Sequence, residues 1–527
     1  MNPKSKPHVI LLSDYTSIFF MMKTYGVFKA AHELRLAGYE VVVLSHLHTF
    51  TTEEINYLLK ELVTDQTLFV GVNNFFYKDV GNPVSRADGG IEYPTCAPGS
   101  MLPHGHDKNQ QLIDSIKQAN PNTKLVLGGP YAGDAEWNSH FDYVVCGYAD
   151  SSIVNLANHL SHQEPLRKSY RSIYGPTIIN DSTAEAFDIA SGTMSYTATD
   201  VILPDSTLNI EISRGCIFSC AFCSYPLNGK KKLDFLRDPE LIYHEMMDNY
   251  TQHGVTRYIF VDDTFNDSVE KVEMIYDISK RLPFKLEFWA NCRVDLLHAH
   301  PQTIDMLVEA GLSGIYMGIE SFNKKTAETV GKGAAQGRQL ETIAYLKDKW
   351  QDKVMLHGSF IVGLPHESIE SVTNTFNTLM SNDCKLDSWV FYGFQLEDTE
   401  TKSNNFYSKI ALNPEKYGYT INGANEHSRI WSNDHMDYHT AMQLAKQFND
   451  QGIARRHKIS GMASFEIADL GHNIEFSRNK SVAEFDWQGL RSSKLDRSIE
   501  YKQMLYKALN ILPFNPKFNL PTWDKTS

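Results

Sequence analysis

The chain has 527 residues, of which 42% are apolar and 21% charged, so it is globular rather than disordered and long enough for roughly two to four domains. Its net charge of −13 argues against a partner as acidic as naked nucleic acid. No apolar run approaches the ~20 residues of a membrane span, and no cleavable leader is evident, so we expect a cytoplasmic protein. Its seven cysteines are then expected to be free thiols or metal ligands.

The first 160 residues alternate short apolar runs with helix-like stretches. The runs predict β-strands at 8–13, 40–45, 68–73, 124–129 and 142–147. Strands that are apolar along their whole length are typical of a parallel sheet covered by helices on both faces. We therefore predict a doubly wound α/β domain of Rossmann or flavodoxin type over residues 1–160.

A second alternating series follows residues 161–205, which show no sustained period and are predicted to be a linker. Its strands are predicted at 208–213, 257–263, 285–291, 314–320, 355–362 and 388–394. Six βα units are two fewer than the eight that close a TIM barrel. We therefore predict a partial (βα)6 TIM-like barrel over 206–395, followed by a small α-rich C-terminal region over 396–527.

Three cysteines lie close together after the first barrel strand, in "ISRGCIFSCAFCSYPL" (212–227). They are Cys216, Cys220 and Cys223, and barrels of this kind collect catalytic groups at the C-terminal ends of their strands. The C-x3-C-x2-C spacing differs from the paired ligands of zinc sites. Three thiolates on a [4Fe–4S] cluster would leave one iron open to a small molecule. A structural zinc ion with a remote fourth ligand remains the alternative.

This spacing, with Phe222 before the last cysteine and "SRG" before the first, resembles the radical S-adenosylmethionine (SAM) superfamily. The resemblance covers roughly residues 205–395. It implies that the three cysteines hold a [4Fe–4S] cluster and that SAM chelates the fourth iron. An electron from the cluster then cleaves SAM to a 5′-deoxyadenosyl radical. It also implies an electron donor such as flavodoxin or ferredoxin, and a small-molecule or peptide substrate.

Polar residues and a glycine at four further strand ends match what bound SAM requires. In the superfamily such positions contact the methionyl group, the ribose and the adenine, so the resemblance implies cofactor-binding roles at the equivalent positions here. Taken singly, each residue could instead be a cap or a salt-bridge partner at the barrel rim. The candidates are Asp262 and Asp263, Asn291 and Arg293, Glu320 and Ser321, and Gly363.

The first domain is similar to that of cobalamin-dependent radical SAM enzymes, above all in "VLGGPYAGDAEWNSHFDYVVCGYAD" (126–150). Glycines at a strand end let a bulky nucleotide tail approach the backbone. The D-x-H-x-x-G motif that places a histidine on cobalt is missing from residues 1–160, which implies either cobalamin without a histidine ligand or a domain that binds no corrin. The candidate cobalamin-binding residues are Gly128, Gly129, Ser13, Asp14, Asn73 and Gly147.

These features together predict a radical SAM enzyme, and foremost a cobalamin (B12)-dependent methyltransferase acting on an unactivated carbon. The first alternative is a radical SAM reaction without methyl transfer, such as cyclisation, rearrangement or sulfur insertion. The second is a zinc-stapled binding protein without catalysis. Iron and sulfide content separates this binding protein from the enzymes, and bound corrin separates the two enzymes.

Overall fold

A computed structural model describes most of the chain. The described residues are 6–13, 22–73, 106–129, 140–172, 175–180, 187–333, 336–399, 407–425, 428–455, 457–458, 461–472, 480–481 and 484–514. Asp14, one of the candidate cobalamin-binding residues, lies outside them.

Within the described residues, the N-terminal sheet has seven strands in the order β2-β1-β3-β4-β5-β7-β6, and all neighbouring strands except β6 and β7 run parallel. The order 2-1-3-4-5 is that of flavodoxin-like folds. This arrangement confirms the predicted doubly wound sheet. The strands are β1 Val9–Leu12, β2 Val41–Leu44, β3 Phe69–Asn73, β4 Lys124–Gly128, β5 Tyr143–Cys146, β6 Ser169–Arg171 and β7 Thr177–Asn180.

Helices cover both faces of this sheet, because successive strand residues point to opposite sides. Val9 and Leu11 of β1 share an apolar cluster with α1 (Tyr25–Leu36) and α4 (Asp150–His162). Ile10 and Leu12 belong to a second cluster with α2 (Thr52–Leu62) and α3 (His106–Ala119). The continuous apolar runs of the sequence are therefore explained by burial on both sides.

Strands β6 and β7 fall within the predicted linker. Strand β7 pairs parallel with β5, and β6 pairs antiparallel with β7. Only Ile178 and Ile179 supply buried apolar side chains there, and the side chains of β6 are half-buried or exposed. Two strands this short and this polar give no periodic signal, so the sheet extends further along the chain than the sequence indicates.

The second sheet consists of six parallel strands in the order β13-β12-β11-β10-β9-β8, which confirms the predicted partial barrel. Its strands are β8 Thr207–Ile210, β9 Arg257–Phe260, β10 Glu287–Cys292, β11 Leu312–Glu320, β12 Met355–Val362 and β13 Ser388–Gly393. Seven helices accompany them: α5 Pro239–His253, α6 Val269–Arg281, α7 Val294–Ala299, α8 Gln302–Ala310, α9 Lys324–Val330, α10 Gln336–Trp350 and α11 Ile369–Met380.

The C-terminal region contributes mainly helices, as predicted, together with one hairpin. Strands β14 (Thr420–Ala424) and β15 (Arg429–Ser432) pair antiparallel. The described helices are α12 Lys409–Leu412, α13 Tyr438–Arg455, α14 Gly461–Asp469 and α15 Trp487–Leu509. Within the described ranges, no helix combines the length and the apolar character that a membrane span requires.

Two of these helices bind the open edges of the barrel. The side chain of Asn449 on α13 exchanges two hydrogen bonds with the backbone of Phe391 on β13, at 2.8 and 2.9 Å. Asp469 of α14 accepts a hydrogen bond from the backbone N–H of Thr207 on β8, at 2.6 Å. Both contacts satisfy backbone groups that a seventh or eighth strand would otherwise bind at these edges.

Helix α15 packs on the N-terminal domain rather than on the barrel. Tyr501, Leu505 and Tyr506 join the apolar cluster of α2 and α3. The Tyr501 hydroxyl lies 2.9 Å from Ser45 Oγ, and Lys502 donates to Glu54 on α2 at 2.7 Å. The last described helix therefore completes the core of the first domain.

Candidate active site

The cysteine loop begins where β8 ends and turns back sharply on itself. Gly215 has a φ of +76°, and a Cβ atom there would lie 2.6 Å from both Cβ and the carbonyl oxygen of Leu227. The N–H of Cys216 donates to that same carbonyl at 3.3 Å. Only glycine permits this close approach, which explains why glycine precedes the first cysteine.

Asp262, at the end of β9, holds the start of this loop. Its carboxylate accepts hydrogen bonds from the backbone N–H of Ile212 at 3.0 Å and of Ser213 at 2.8 Å, and from the Ser213 hydroxyl at 2.7 Å. Lys271 of α6 lies 3.4 Å from the same carboxylate, which is 1% exposed. Most of the hydrogen-bonding capacity of Asp262 is therefore used within the protein, in positioning the cysteine loop.

Each of the three thiols has a different polar neighbour. Cys216 Sγ lies 3.3 Å from the Thr264 hydroxyl and accepts from the N–H of Phe218 at 3.5 Å. Cys220 Sγ lies 3.7 Å from the carbonyl oxygen of Gly331. The Asn228 amide donates to Cys223 Sγ at 3.2 Å. Hydrogen bonds to sulfur are a main means by which proteins tune iron–sulfur clusters, so the donors at Cys216 and Cys223 suit cluster ligands.

The three thiols do not form a ready-made site for a single ion. Among the described residues, no three histidine, cysteine or acidic side chains converge closely enough to hold one metal ion. Zinc ligands must surround one ion in this way, whereas the thiolates of a cubane bind three different irons. Burial raises the pKa of Cys216, and it raises the pKa of Cys223 to about 11, so these thiols keep their protons until a metal displaces them.

Arg293 follows β10 and lies directly beside this loop. Its Nη1 is 3.6 Å from Cys220 Sγ, and its guanidinium lies 3.7 Å from the centre of the Phe218 ring. Asp295 accepts two further hydrogen bonds from it, at 3.0 and 2.6 Å. Asn291 on the same strand end donates to the backbone carbonyl of Asp262 at 2.9 Å. Arg293 and Asn291 thus already have hydrogen-bond partners within the protein, as expected of residues with a structural role at the barrel rim.

Asp263 differs from its neighbour, because its carboxyl group is not part of the network that holds the loop. Burial and the nearby carboxylates of Asp262 and Glu211 raise its pKa to about 7, although Lys271 and Lys230 act in the opposite direction. Burial, and then the charge of Asp263, raise the pKa of Tyr148, which follows β5 of the first domain. Asp263 is thus a half-buried carboxyl group close to other acidic groups, where a cationic ligand group would relieve the repulsion.

Glu320 and Phe222 are linked through one lysine. Glu320 ends β11 in a left-handed conformation, with a φ of +67°, and is 7% exposed. Lys332 lies 3.2 Å from its carboxylate and donates to the carbonyl of Gly318 at 2.8 Å. The same ammonium lies 6.0 Å from the centre of the half-buried Phe222 ring. The predicted ribose-binding carboxylate is therefore paired with a cation beside the cysteine loop.

Ser321 and Gly363 share one buried carboxyl group, that of Glu367. The Ser321 hydroxyl donates to it at 2.5 Å, and the N–H of Gly363 donates to it at 3.2 Å. Gly363 has a φ of +98°, and a Cβ atom there would lie 2.5 Å from the Trp431 ring. A glycine is thus required at position 363 for packing, whether or not adenine binds beside it.

Replacing Glu367 by glutamine is expected to flatten the pH dependence of stability. Burial raises the pKa of Glu367 from its ordinary 4.5 to about 8. The stabilising contribution of the neutral form is therefore complete below 4.5 and is lost as the pH rises through about 8. Thermal unfolding measured at about pH 5 and about pH 9 should show a smaller loss of Tm in Glu367→Gln than in the wild type. The exposed Glu370→Gln is the control, and equal losses in all three proteins would contradict the prediction.

The described cobalamin candidates meet at one edge of the first sheet. Ser13, Asn73, Gly128 and Gly147 lie at the carboxyl ends of β1, β3, β4 and β5, which are consecutive in the sheet. Asn73 and Gly128 are register partners. Among the described residues, no atom lies within 4 Å of a Cβ added to Gly128. Gly129 has a φ of +118° and Gly147 a φ of +79°, so the chain turns at both positions. The described part of this edge therefore leaves space beside Gly128, whereas the Ser13 hydroxyl contacts Thr24 at 2.5 Å.

Several residues that contact the predicted site were not identified from the sequence. Asn228 lies just beyond Cys223, and Thr264 directly follows Asp263. Their amide and hydroxyl groups could therefore have been identified as neighbours of the cysteines from the sequence. Lys332 gave no such signal, because it follows α9 and reaches Glu320 only through the fold.

Comparison with known proteins identifies the class. Residues 210–379 match the family model of the radical SAM superfamily. A solved structure of the radical S-adenosylmethionine methyltransferase TsrM from Kitasatospora setae, with cobalamin and a [4Fe–4S] cluster bound, superposes with a TM-score of 0.62 at 16% identity, covering 94% of this chain and 99% of that chain. The match confirms, over residues 210–379, the resemblance that the cysteine motif predicts.

The likeness to the TsrM structure is one of fold. It extends over both the flavodoxin-like sheet and the partial barrel. An anaerobic magnesium-protoporphyrin IX monomethyl ester cyclase of Cereibacter sphaeroides is 25% identical over 308 residues, covering 54% of this chain and 48% of the relative. An uncharacterized methyltransferase of Pyrococcus horikoshii is 32% identical over 171 residues, covering 32% and 35%. The matched segments thus span less than half of either relative.

Proposed function

We propose that this chain is a radical SAM enzyme, and specifically a cobalamin-dependent methyltransferase acting on an unactivated carbon. The observation that carries the proposal is the cysteine loop at the carboxyl end of the first barrel strand, directly against the loop that follows β5 of a flavodoxin-like domain. Bound there, a [4Fe–4S] cluster would supply the electron that cleaves SAM, and cobalamin would supply the transferable methyl group.

The residues of the barrel rim have distinct proposed tasks. Cys216, Cys220 and Cys223 hold the cluster, and Asp262 fixes the backbone that presents the first of them. Asp263 carries a half-buried carboxyl group outside the network that holds the loop, and we propose that it binds the ammonium of methionine. The remaining contacts to SAM are proposed for residues already positioned by protein partners, which are Asn291, Arg293, Glu320, Ser321, Gly363 and Phe222.

The carboxyl edge of the first sheet is the proposed cobalamin site. Gly128 has no close neighbour among the described residues, and Gly129 and Gly147 turn the chain without adding side chains to this edge. Asn73 and Ser13 line the same edge, and Asp14 follows Ser13 in the sequence. Since residues 1–160 lack the D-x-H-x-x-G motif, the cobalt is proposed to have no histidine ligand from this domain.

A radical reaction without methyl transfer is the second candidate, because the relative from Cereibacter sphaeroides is named a cyclase. Such an enzyme would use the same cysteine loop. It would still need a one-electron donor, for which we propose a flavodoxin or ferredoxin, and a small-molecule or peptide substrate.

Cofactor loading separates the two candidates without knowledge of the substrate. The full chain is reconstituted anaerobically with iron, sulfide and hydroxocobalamin, and then incubated with SAM and a chemical reductant. The methyltransferase should retain both cluster and corrin, and should form 5′-deoxyadenosine together with S-adenosylhomocysteine. Cluster without corrin, with 5′-deoxyadenosine as the sole product, would favour the second candidate. Absence of iron and sulfide after reconstitution would exclude both.

A further inference from the structure

Arg214 joins the cysteine loop to the first domain. It lies two residues before Cys216, and its side chain is 3% exposed. Nη1 and Nη2 each donate to a different carboxylate oxygen of Asp150 at 2.9 Å. Nε and Nη2 donate to Glu211 at 2.7 and 3.0 Å. One guanidinium therefore makes two bidentate contacts, one with each domain.

The two carboxylates belong to the two segments that Arg214 joins, one in each domain. Glu211 follows the last residue of β8, where the cysteine loop begins. Asp150 is the first residue of α4, three positions after Gly147 at the proposed cobalamin edge. The loop after β5 and the cysteine loop are thus joined by direct hydrogen bonds and without an intervening element.

Two neighbouring aromatic rings, one from the first domain and one from the segment between the domains, pack against the guanidinium of Arg214. Tyr148, from the loop after β5, lies 4.7 Å from the guanidinium carbon, and Phe187, from the segment between the domains, lies 4.4 Å from it. Tyr25 of α1 donates to Glu211 at 3.5 Å. Arg237 also donates to the backbone carbonyl of Glu211, at 2.8 Å. Arg214 and Glu211 are therefore held in place by several elements of both domains.

Such a buried arrangement is better suited to fixing geometry than to adding stability. A buried ion pair loses solvation energy that offsets most of its attraction, and apolar residues of equal volume often stabilise a fold as well or better. The planar fork of arginine, however, binds carboxylates in one orientation only. The contacts of Arg214 with Asp150 and Glu211 therefore restrict how the cysteine loop and the loop after β5 lie relative to each other.

We infer that Arg214 is a positioning residue that sets the spacing between the cysteine loop and the proposed cobalamin edge. The inference rests on the proposed function, in which groups bound at these two places must reach the same substrate. A mutation far from the reacting groups of an enzyme lowers the rate about a hundredfold when it displaces those groups by roughly 1 Å. A lysine could supply the charge, but it lacks the fork that engages both carboxylates.

The test uses the full chain loaded with cluster and hydroxocobalamin and reduced to give a paramagnetic cobalt and a paramagnetic cluster. Pulsed electron paramagnetic resonance then measures the distribution of distances between the two spins. In Asp150→Asn the iron, sulfide and corrin contents should match the wild type, whereas the distance distribution should broaden. Formation of S-adenosylhomocysteine should fall about tenfold relative to 5′-deoxyadenosine, because only the former requires SAM to reach the cobalt.

Three further variants make the outcome specific. Asp150→Glu keeps a carboxylate and should restore much of the narrow distribution. Arg214→Lys should behave as Asp150→Asn does. Arg281→Lys should leave both measurements unchanged, because Arg281 makes an equally bidentate contact with Glu240 at 2.6 and 2.7 Å on the exposed outside of the barrel. A loss of thermal stability with an unchanged, narrow distribution would reduce Arg214 to a structural role and overturn the inference.

Failure of the proposed function remains distinguishable from failure of this inference. If the wild type retains no corrin, the methyltransferase proposal falls. The contact of Arg214 with Asp150 and Glu211 is then tested in the corrin-free chain by hydrogen exchange. Asp150→Asn should accelerate exchange both in residues 147–152 and in residues 212–216, and unchanged exchange in either segment would overturn the inference.

Discussion

Replacing Cys216, Cys220 or Cys223 by alanine should abolish the formation of 5′-deoxyadenosine. A cubane held by three thiolates has no spare protein ligand, so the loss of one leaves two irons without a thiolate. Each thiol also has its own polar neighbour, and none of the three is placed to substitute for another. Anaerobic assays with reductant and SAM measure the product, and iron and sulfide analysis measures the cluster.

Cys292 provides the matched control. It ends β10, is 2% exposed and belongs to the apolar core, and burial raises the pKa of its thiol to about 12. Cys292→Ala should therefore retain the cluster and product formation. Near-normal 5′-deoxyadenosine from any single variant of the other three cysteines would remove the cluster from the proposed mechanism.

Replacing Gly128 by tryptophan should expel corrin while leaving the cluster in place. Within the described part of the chain the substitution meets no obstacle, because no atom there lies within 4 Å of an added Cβ and the backbone is not in the left-handed region. A bulky side chain would then fill the space proposed for the nucleotide tail. Gly129 is less informative, because its φ of +118° would strain any larger residue.

The measurement is the corrin retained after loading and gel filtration, read from its absorption spectrum. The wild type should retain corrin in stoichiometric amount with a spectrum of the base-off form, since no histidine ligand is expected. Gly337→Trp is the control, because Gly337 is exposed on α10 and likewise has no atom within 4 Å of an added Cβ. If the Gly128→Trp and Gly337→Trp variants retain equal amounts of corrin, the cofactor does not bind beside Gly128.

The fold could be predicted because its signals are local. Apolar runs bounded by turns give the parallel strands, and six βα units give an incomplete barrel. Strands β6 and β7 could not be found, because four or fewer residues with two buried isoleucines make no period. The positions of α14 and α15 also have no local signal, because both helices pack on elements more than a hundred residues away.

The candidate site was predictable as a set of strand ends but not as a set of contacts. Asp262 and Asp263 are adjacent in sequence, and only the fold shows that the first binds the cysteine loop while the second lies outside that network. Glu320 could be read as a ligand-facing carboxylate, whereas its partner Lys332 is twelve positions away and beyond a helix. Roles toward SAM and cobalamin therefore remain predictions, which the cysteine and glycine variants begin to test.

The packing of α15 on the first domain has a consequence for how the chain is made. Residues 9–73 are synthesised long before Tyr501, Leu505 and Tyr506, yet these three side chains complete the cluster formed by α2, α3 and the sheet. Until α15 has left the ribosome, that apolar face is exposed to solvent and to other nascent chains. A stop codon near residue 480 would thus damage the N-terminal domain, and that domain expressed separately would need α15 supplied as a second polypeptide.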